Sequence, residues 1–96
     1  MNIQSLKKKY NYFMTIYALS TGPGKSGIAI IRVSGGETKN VIKSLTKKEL
    51  PEPKVATLRK INYINTSELI DEGLVLWFPA PESYTGEDMA EFHVHG

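Results

Sequence analysis

The sequence predicts an α+β domain, with a mixed sheet of about five strands and one main helix. Three observations point there. Short segments rich in β-branched and aromatic residues recur at 15–19, 28–34, 56–64, the second half of 69–78, and from about residue 89 onward. One stretch, 37–48, instead places Val41, Ile42 and Leu45 at helical spacing among lysines. Glycine and proline clusters separate these segments, as turn residues do.

Ninety-six residues suffice for a single modest core. The 41% hydrophobic and 23% charged content are those of an ordinary globular chain. No apolar run approaches the roughly 20 residues that a membrane-spanning helix needs, so no membrane association is expected. The chain has no cysteine, which excludes disulfides, thiolate metal sites and cysteine nucleophiles. Its net charge of +2 is uneven, because Lys7, Lys8 and Lys9 stand in a leader without acids. Setting those three aside leaves nine basic against ten acidic residues, or −1, so the body lacks the broad basic field of a nonspecific nucleic-acid binder.

Residues 1–13 read as a disordered leader, neither a secretory signal nor an Arg- and Ser-rich transit peptide, and Met14 is an alternative start. Residues 15–19 form a short strand. The loop at 20–27 contains Gly24-Lys25-Ser26, which resembles the end of a P-loop. That motif requires a glycine where this chain has Leu19, and a helix where it has a strand-like run, so the loop is a Gly-rich hairpin connection rather than a nucleotide site. Residues 28–34 are almost continuously apolar, as in a strand buried on both faces, and only Arg32 interrupts them. Ile28, Ile30, Arg32 and Ser34 share one face. A guanidinium there either meets a carboxylate or reaches an anionic ligand at the strand end.

Ser34-Gly35-Gly36 ends that strand and a helix of about three turns follows. Glu37 is placed in its first turn and Lys47 and Lys48 in its last, matching the helix dipole. Pro51 and Pro53 terminate it. Residues 56–64 form the next strand, with a turn at 65–67. The second half of 69–78 forms another, stopped by Pro79 and Pro81, which cannot donate to a sheet ladder. Thr85-Gly86-Glu87-Asp88 has the spacing of a capping box, but Glu91, His93 and His95 then alternate with Phe92 and Val94, which favours a strand from about Met89.

Glu91, His93 and His95 carry the donor types of a metal set, yet alternation of this kind is also the ordinary polar face of a half-covered strand. The strand-face reading is preferred, and no metal site is assigned. Ser83 and His93 lack any arrangement of base and orienting group that would make a hydrolase. No catalytic residue is assigned.

Two separated signatures carry a family resemblance. The first is Thr15-Ile16-x-Ala18-x-x-Thr21-x-x-Gly24-Lys25-x-Gly27-Ile28-x-Ile30-x-Arg32-Val33-Ser34-Gly35. The second is Asp71-Glu72-Gly73-Leu74, continuing through Phe78-Pro79-Ala80-Pro81-x-Ser83-Tyr84-Thr85-Gly86-Glu87-Asp88-x-x-Glu91 to His95-Gly96. Together they resemble the N-terminal domain of the tRNA modification GTPases of the MnmE/TrmE family, over nearly all of 14–96.

The resemblance implies a fold similar to the tetrahydrofolate-binding domains of aminomethyltransferases, lacking a following helix, and a homodimer. It implies binding of 5-formyltetrahydrofolate through Arg32, from the Arg-Val-Ser-Gly motif, and Glu91, from Thr-Gly-Glu-Asp-x-x-Glu. A carboxylate can accept adjacent N–H groups of a pterin, and an arginine can donate to the ligand's carbonyls or acidic tail. The family's setting is cytoplasmic, or mitochondrial in eukaryotes. Its chemistry is wobble-uridine modification of tRNA with the flavin-dependent partner MnmG/GidA, using GTP with Mg2+ and K+ in a separate GTPase domain. These 96 residues contain no P-loop, so GTP hydrolysis by them alone is not expected.

The sequence departs from the family pattern at Pro53-Lys54, where an arginine is usual and its planar fork is given up, and at Gly22-Pro23, where two prolines are frequent. The rival expectation is an interaction domain that kept the fold and lost the ligand. A direct Arg32–Glu91 ion pair would satisfy both residues equally well.

Overall fold

The computed structural model describes residues 14–21, 28–62 and 69–95. The expected leader at 1–13, most of the Gly-rich loop and the turn at 65–67 lie outside them. The elements run β1 (Met14–Thr21), β2 (Ile28–Gly35), α1 (Thr38–Thr46), β3 (Thr57–Asn62), β4 (Leu69–Phe78) and β5 (Met89–His95). This is the α+β class that the sequence predicts.

The sheet order is β1-β2-β5-β4-β3, and each neighbouring pair is antiparallel. The expectation of a mixed sheet is therefore corrected. A parallel pair arises when a crossover joins adjacent strands. Here the α1 crossover carries the chain from β2 to β3 at the far edge, and β4 and β5 then fill inward. The last strand becomes the central one.

One face of the sheet is covered by α1. Val41, Ile42 and Leu45 of the helix bury against Ile31 and Val33 of β2, Ile61 of β3, Val75 and Trp77 of β4, and Ala90, Phe92 and Val94 of β5. Burying a side chain such as Phe92 contributes roughly 1.5–3 kcal/mol. Among the described residues α1 is the one helix, and it covers one face. β2 is accordingly buried at Ile31 and Val33 but half-exposed at Ile30 and Arg32, not buried on both faces as its apolar run suggests. Among the described residues no helix is long and apolar enough to cross a membrane.

Two element ends differ from the sequence reading. Helix α1 has nine residues, about two and a half turns. Glu37 occupies the N-cap position, where its carboxylate accepts a hydrogen bond from Asn40 instead of capping the helix. Lys47 lies beyond the helix in a left-handed conformation, its N–H donating to the Lys43 carbonyl. Lys43 is thus the basic residue of the last turn. Strand β4, in turn, begins at Leu69, because its first half pairs with β3 through Asp71, Glu72 and Gly73. Gly73 is required by packing, since a Cβ there would stand 2.3 Å from the His93 carbonyl oxygen.

Candidate functional site

Strands β2 and β5 pair so that Arg32 lies directly across from Glu91. Their neighbours Ile31, Val33, Ala90 and Phe92 belong to the core, so alternation points Arg32 and Glu91 to the face away from α1. There Arg32 Nε donates to Glu91 Oε2 at 2.8 Å, and His93 Nε2 lies 3.0 Å from Glu91 Oε1. The side chains of Arg32, Glu91 and His93 remain 30%, 15% and 30% exposed, so the carboxylate is held from both sides yet reachable from solvent. Burial pushes the Glu91 carboxyl up. Hydrogen bonds from His93 and Arg32 and the adjacent guanidinium charge outweigh it, and the group is held below its ordinary value.

Register places Ile30, Leu74 and Leu76 on the same face. Together with the ion pair they make a surface that is apolar around a charged centre.

Beside this centre runs the loop 79–88, which contains a cis Ala80–Pro81 bond. Its ties to the sheet are numerous. Asp88 accepts from Ala80 N through its side chain at 2.9 Å, and its carbonyl accepts from Gly35 N at 2.9 Å and Thr38 Oγ1 at 3.1 Å. Buried Ser34 donates to Glu87 Oε2 at 3.2 Å. Since a hydroxyl has one proton, Thr85 is the donor in the 2.7 Å contact between Thr85 Oγ1 and Ser34 Oγ. Ser83 Oγ donates to the Glu87 carbonyl, and Gly86 N donates to the Ser83 carbonyl with Gly86 at a positive φ of 79°. The loop carries Tyr84 to the Arg32 guanidinium, whose carbon is 5.8 Å from the ring centroid. Lys54, at the Pro53-Lys54 departure, donates to Glu82 on the loop's exposed flank at 3.3 Å.

The structure divides the three polar residues of β5. Glu91 and His93 meet, whereas His95 turns to Asp71 of β4. The Asp71 carboxylate accepts from His95 N at 2.8 Å and lies 3.1 Å from His95 Nδ1. Burial raises the Asp71 carboxyl, but the hydrogen bonds from His95 and from Glu72 N bring it below its ordinary value. Among the described residues no group of three or more His, Asp or Glu side chains is arranged to hold a metal ion.

Arg32 and Glu91, the two residues singled out from the sequence, are thus brought into contact. The contacts of Ser34, Tyr84, Asp71 and His93 were not foreseen. An aromatic next to Thr-Gly-Glu-Asp was the one local hint of Tyr84. The other contacts depend on strand register, which residue order does not reveal.

The chain is 81% identical over 83 residues to the tRNA modification GTPase MnmE of Pelagibacter ubique, an alignment covering 86% of this chain and 19% of that protein. It is 55% identical over 82 residues to a mitochondrial 5-taurinomethyluridine-tRNA synthase subunit of Danio rerio, and 49% identical over 83 residues to the Homo sapiens counterpart. Those alignments cover 85% of this chain and 16% and 17% of the relatives. The chain therefore spans about a fifth or less of the length of these curated relatives. Residues 15–96 match the family described as GTP-binding protein TrmE N-terminus, with the Arg32–Glu91 pair inside the matched segment, and the chain belongs to that family.

Proposed function

We propose that the chain is the 5-formyltetrahydrofolate-binding and dimerisation module of a tRNA wobble-uridine modification GTPase. The observation that carries this reading is the cross-strand pairing of Arg32 and Glu91 on the half-open face, at 2.8 Å. A carboxylate already oriented by Arg32 and His93 retains lone pairs for two adjacent N–H donors of a pterin edge, and a guanidinium beside it is a charge-assisted donor suited to a ligand's carbonyl or carboxylate. In this reading the fold is of the aminomethyltransferase folate-binding kind and two copies pair. GTP hydrolysis, tRNA and the flavin-dependent partner MnmG/GidA engage other parts of the full-length assembly. The names of the relatives, tRNA modification GTPase and 5-taurinomethyluridine-tRNA synthase subunit, support the setting in tRNA modification.

Calorimetric titration with 5-formyltetrahydrofolate tests it. Saturable binding is expected, weakened at least about tenfold by Arg32→Ala or Glu91→Ala, the range for loss of a charge-assisted hydrogen bond. Thermal melts of each variant separate lost binding from lost folding. A folded, dimeric wild-type chain that binds no folate would instead identify an interaction domain in which the ion pair is purely structural.

A further inference from the structure

Tyr84 is 85% exposed, more than any other large hydrophobic side chain among the described residues. Exposure of an aromatic on a slack loop would mean little, but its neighbours on both sides are tied down. Ser83 bonds to the Glu87 carbonyl, and Thr85 bonds to buried Ser34. The backbone is thus fixed and the ring held outward, beside the guanidinium that pairs with Glu91. A large ring kept in water forgoes its burial free energy, and a pre-positioned aromatic has few rotamers to lose when something covers it.

We propose that Tyr84 is a third wall of the Arg32–Glu91 site, on which the planar pyrimidinone ring of the ligand's head group stacks. The proposal rests on the ligand reading given above. Glu91 then reads the edge of the ring through its N–H donors, Tyr84 reads its face, and Arg32 binds an acceptor on the same molecule. The combination selects flat heterocycles with adjacent donors over flexible anions of the same charge. Stacking uses the face of the tyrosine ring rather than its hydroxyl, so the phenol oxygen is dispensable.

Titration of the 96-residue chain with 5-formyltetrahydrofolate tests the wall through a series of Tyr84 variants. Tyr84→Phe is expected to bind within about twofold of wild type, while Tyr84→Leu and Tyr84→Ala bind about tenfold more weakly, in the range measured for loss of a ring stacked on a nucleic-acid base. Because Tyr84 is exposed, the thermal midpoints of the variants should coincide. If wild type binds and Arg32→Ala weakens it, yet Tyr84→Ala or Tyr84→Leu binds as tightly as Tyr84→Phe, the wall is refuted and the ligand reading stands. If wild type does not bind, the ligand reading fails and the wall with it. Sedimentation supplies the last arm. Affinity lost only in step with dissociation of a dimer would make Tyr84 a contact between copies and overturn the proposal.

Discussion

The two faces of this sheet are built from the same strands under different constraints. On the covered face, Ile31, Val33, Val75, Phe92 and Val94 are almost completely buried against α1, and each could be replaced by another apolar residue of similar volume at small cost. On the opposite face, Arg32, Glu91 and His93 are only partly buried and are joined by directional contacts. Strand β5 serves both faces by alternation, Phe92 inward and Glu91 outward. A one-residue slip of its register would exchange them, so the packing that stabilises the covered face also fixes where the carboxylate points. Core packing and the polar cluster are therefore separable by residue but not by strand.

The largest break in this comparison should come from Phe92→Ala, which deletes the centre of the covered face. A loss of about 3–5 kcal/mol is expected in urea unfolding, a large fraction of the stability of so small a domain. Glu91→Gln, one position away on the open face, keeps the shape of the side chain and should change stability by less than about 1 kcal/mol at neutral pH. Equal losses for the two variants would contradict the division between faces. Gly73→Ala should fall between them, at about 1–3 kcal/mol, because its Cβ would meet the His93 carbonyl at 2.3 Å and force β4 from β5. If Gly73→Ala melts like wild type, the close approach of those strands is wrong.

How much of this was legible in the sequence follows the same division. The helix face declared itself, since Val41, Ile42 and Leu45 at helical spacing are the residues that bury. The central strand from Met89 was likewise readable from its alternation. Pairing was not. Nothing local says that β5 inserts between β2 and β4, and the expectation of a mixed sheet failed for that reason. The first half of β4 was missed because Asp71-Glu72-Gly73 has the composition of a turn. Gly73 stands there to let a carbonyl approach, and Asp71 to meet His95. Arg32 stood out as the one charge in an apolar strand, expected to meet a carboxylate or an anionic ligand, and the family motif added Glu91 and a folate role for both. Their contact, 59 positions apart in the chain, is a property of register, and so is the Ser34 hydroxyl that ties the loop bearing Tyr84.

The smallest expected effect sharpens the comparison most, because it isolates charge from packing. Glu91 and Asp71 are both held below the ordinary carboxylate value in the folded chain. A depressed folded-state value means that the ionised form binds the native structure better than the unfolded one. The resulting stability is complete above the unfolded value of about 4 and is lost as pH falls through the lower folded value. Urea midpoints followed from about pH 5 down to about pH 3 should therefore decline in wild type. Each of Glu91→Gln and Asp71→Asn should make that decline shallower, since neither variant has a proton to take up at that position. The two should then part company on function. Under the proposed folate reading, Asp71→Asn alters only the β4–β5 margin and should leave folate affinity near wild type, whereas Glu91→Gln would offer an amide to the pterin edge in place of a carboxylate and should weaken binding. An acid decline unchanged in both variants would show that these carboxylates are not stabilised by folding. Equal folate affinity in both would deny Glu91 its place in the site.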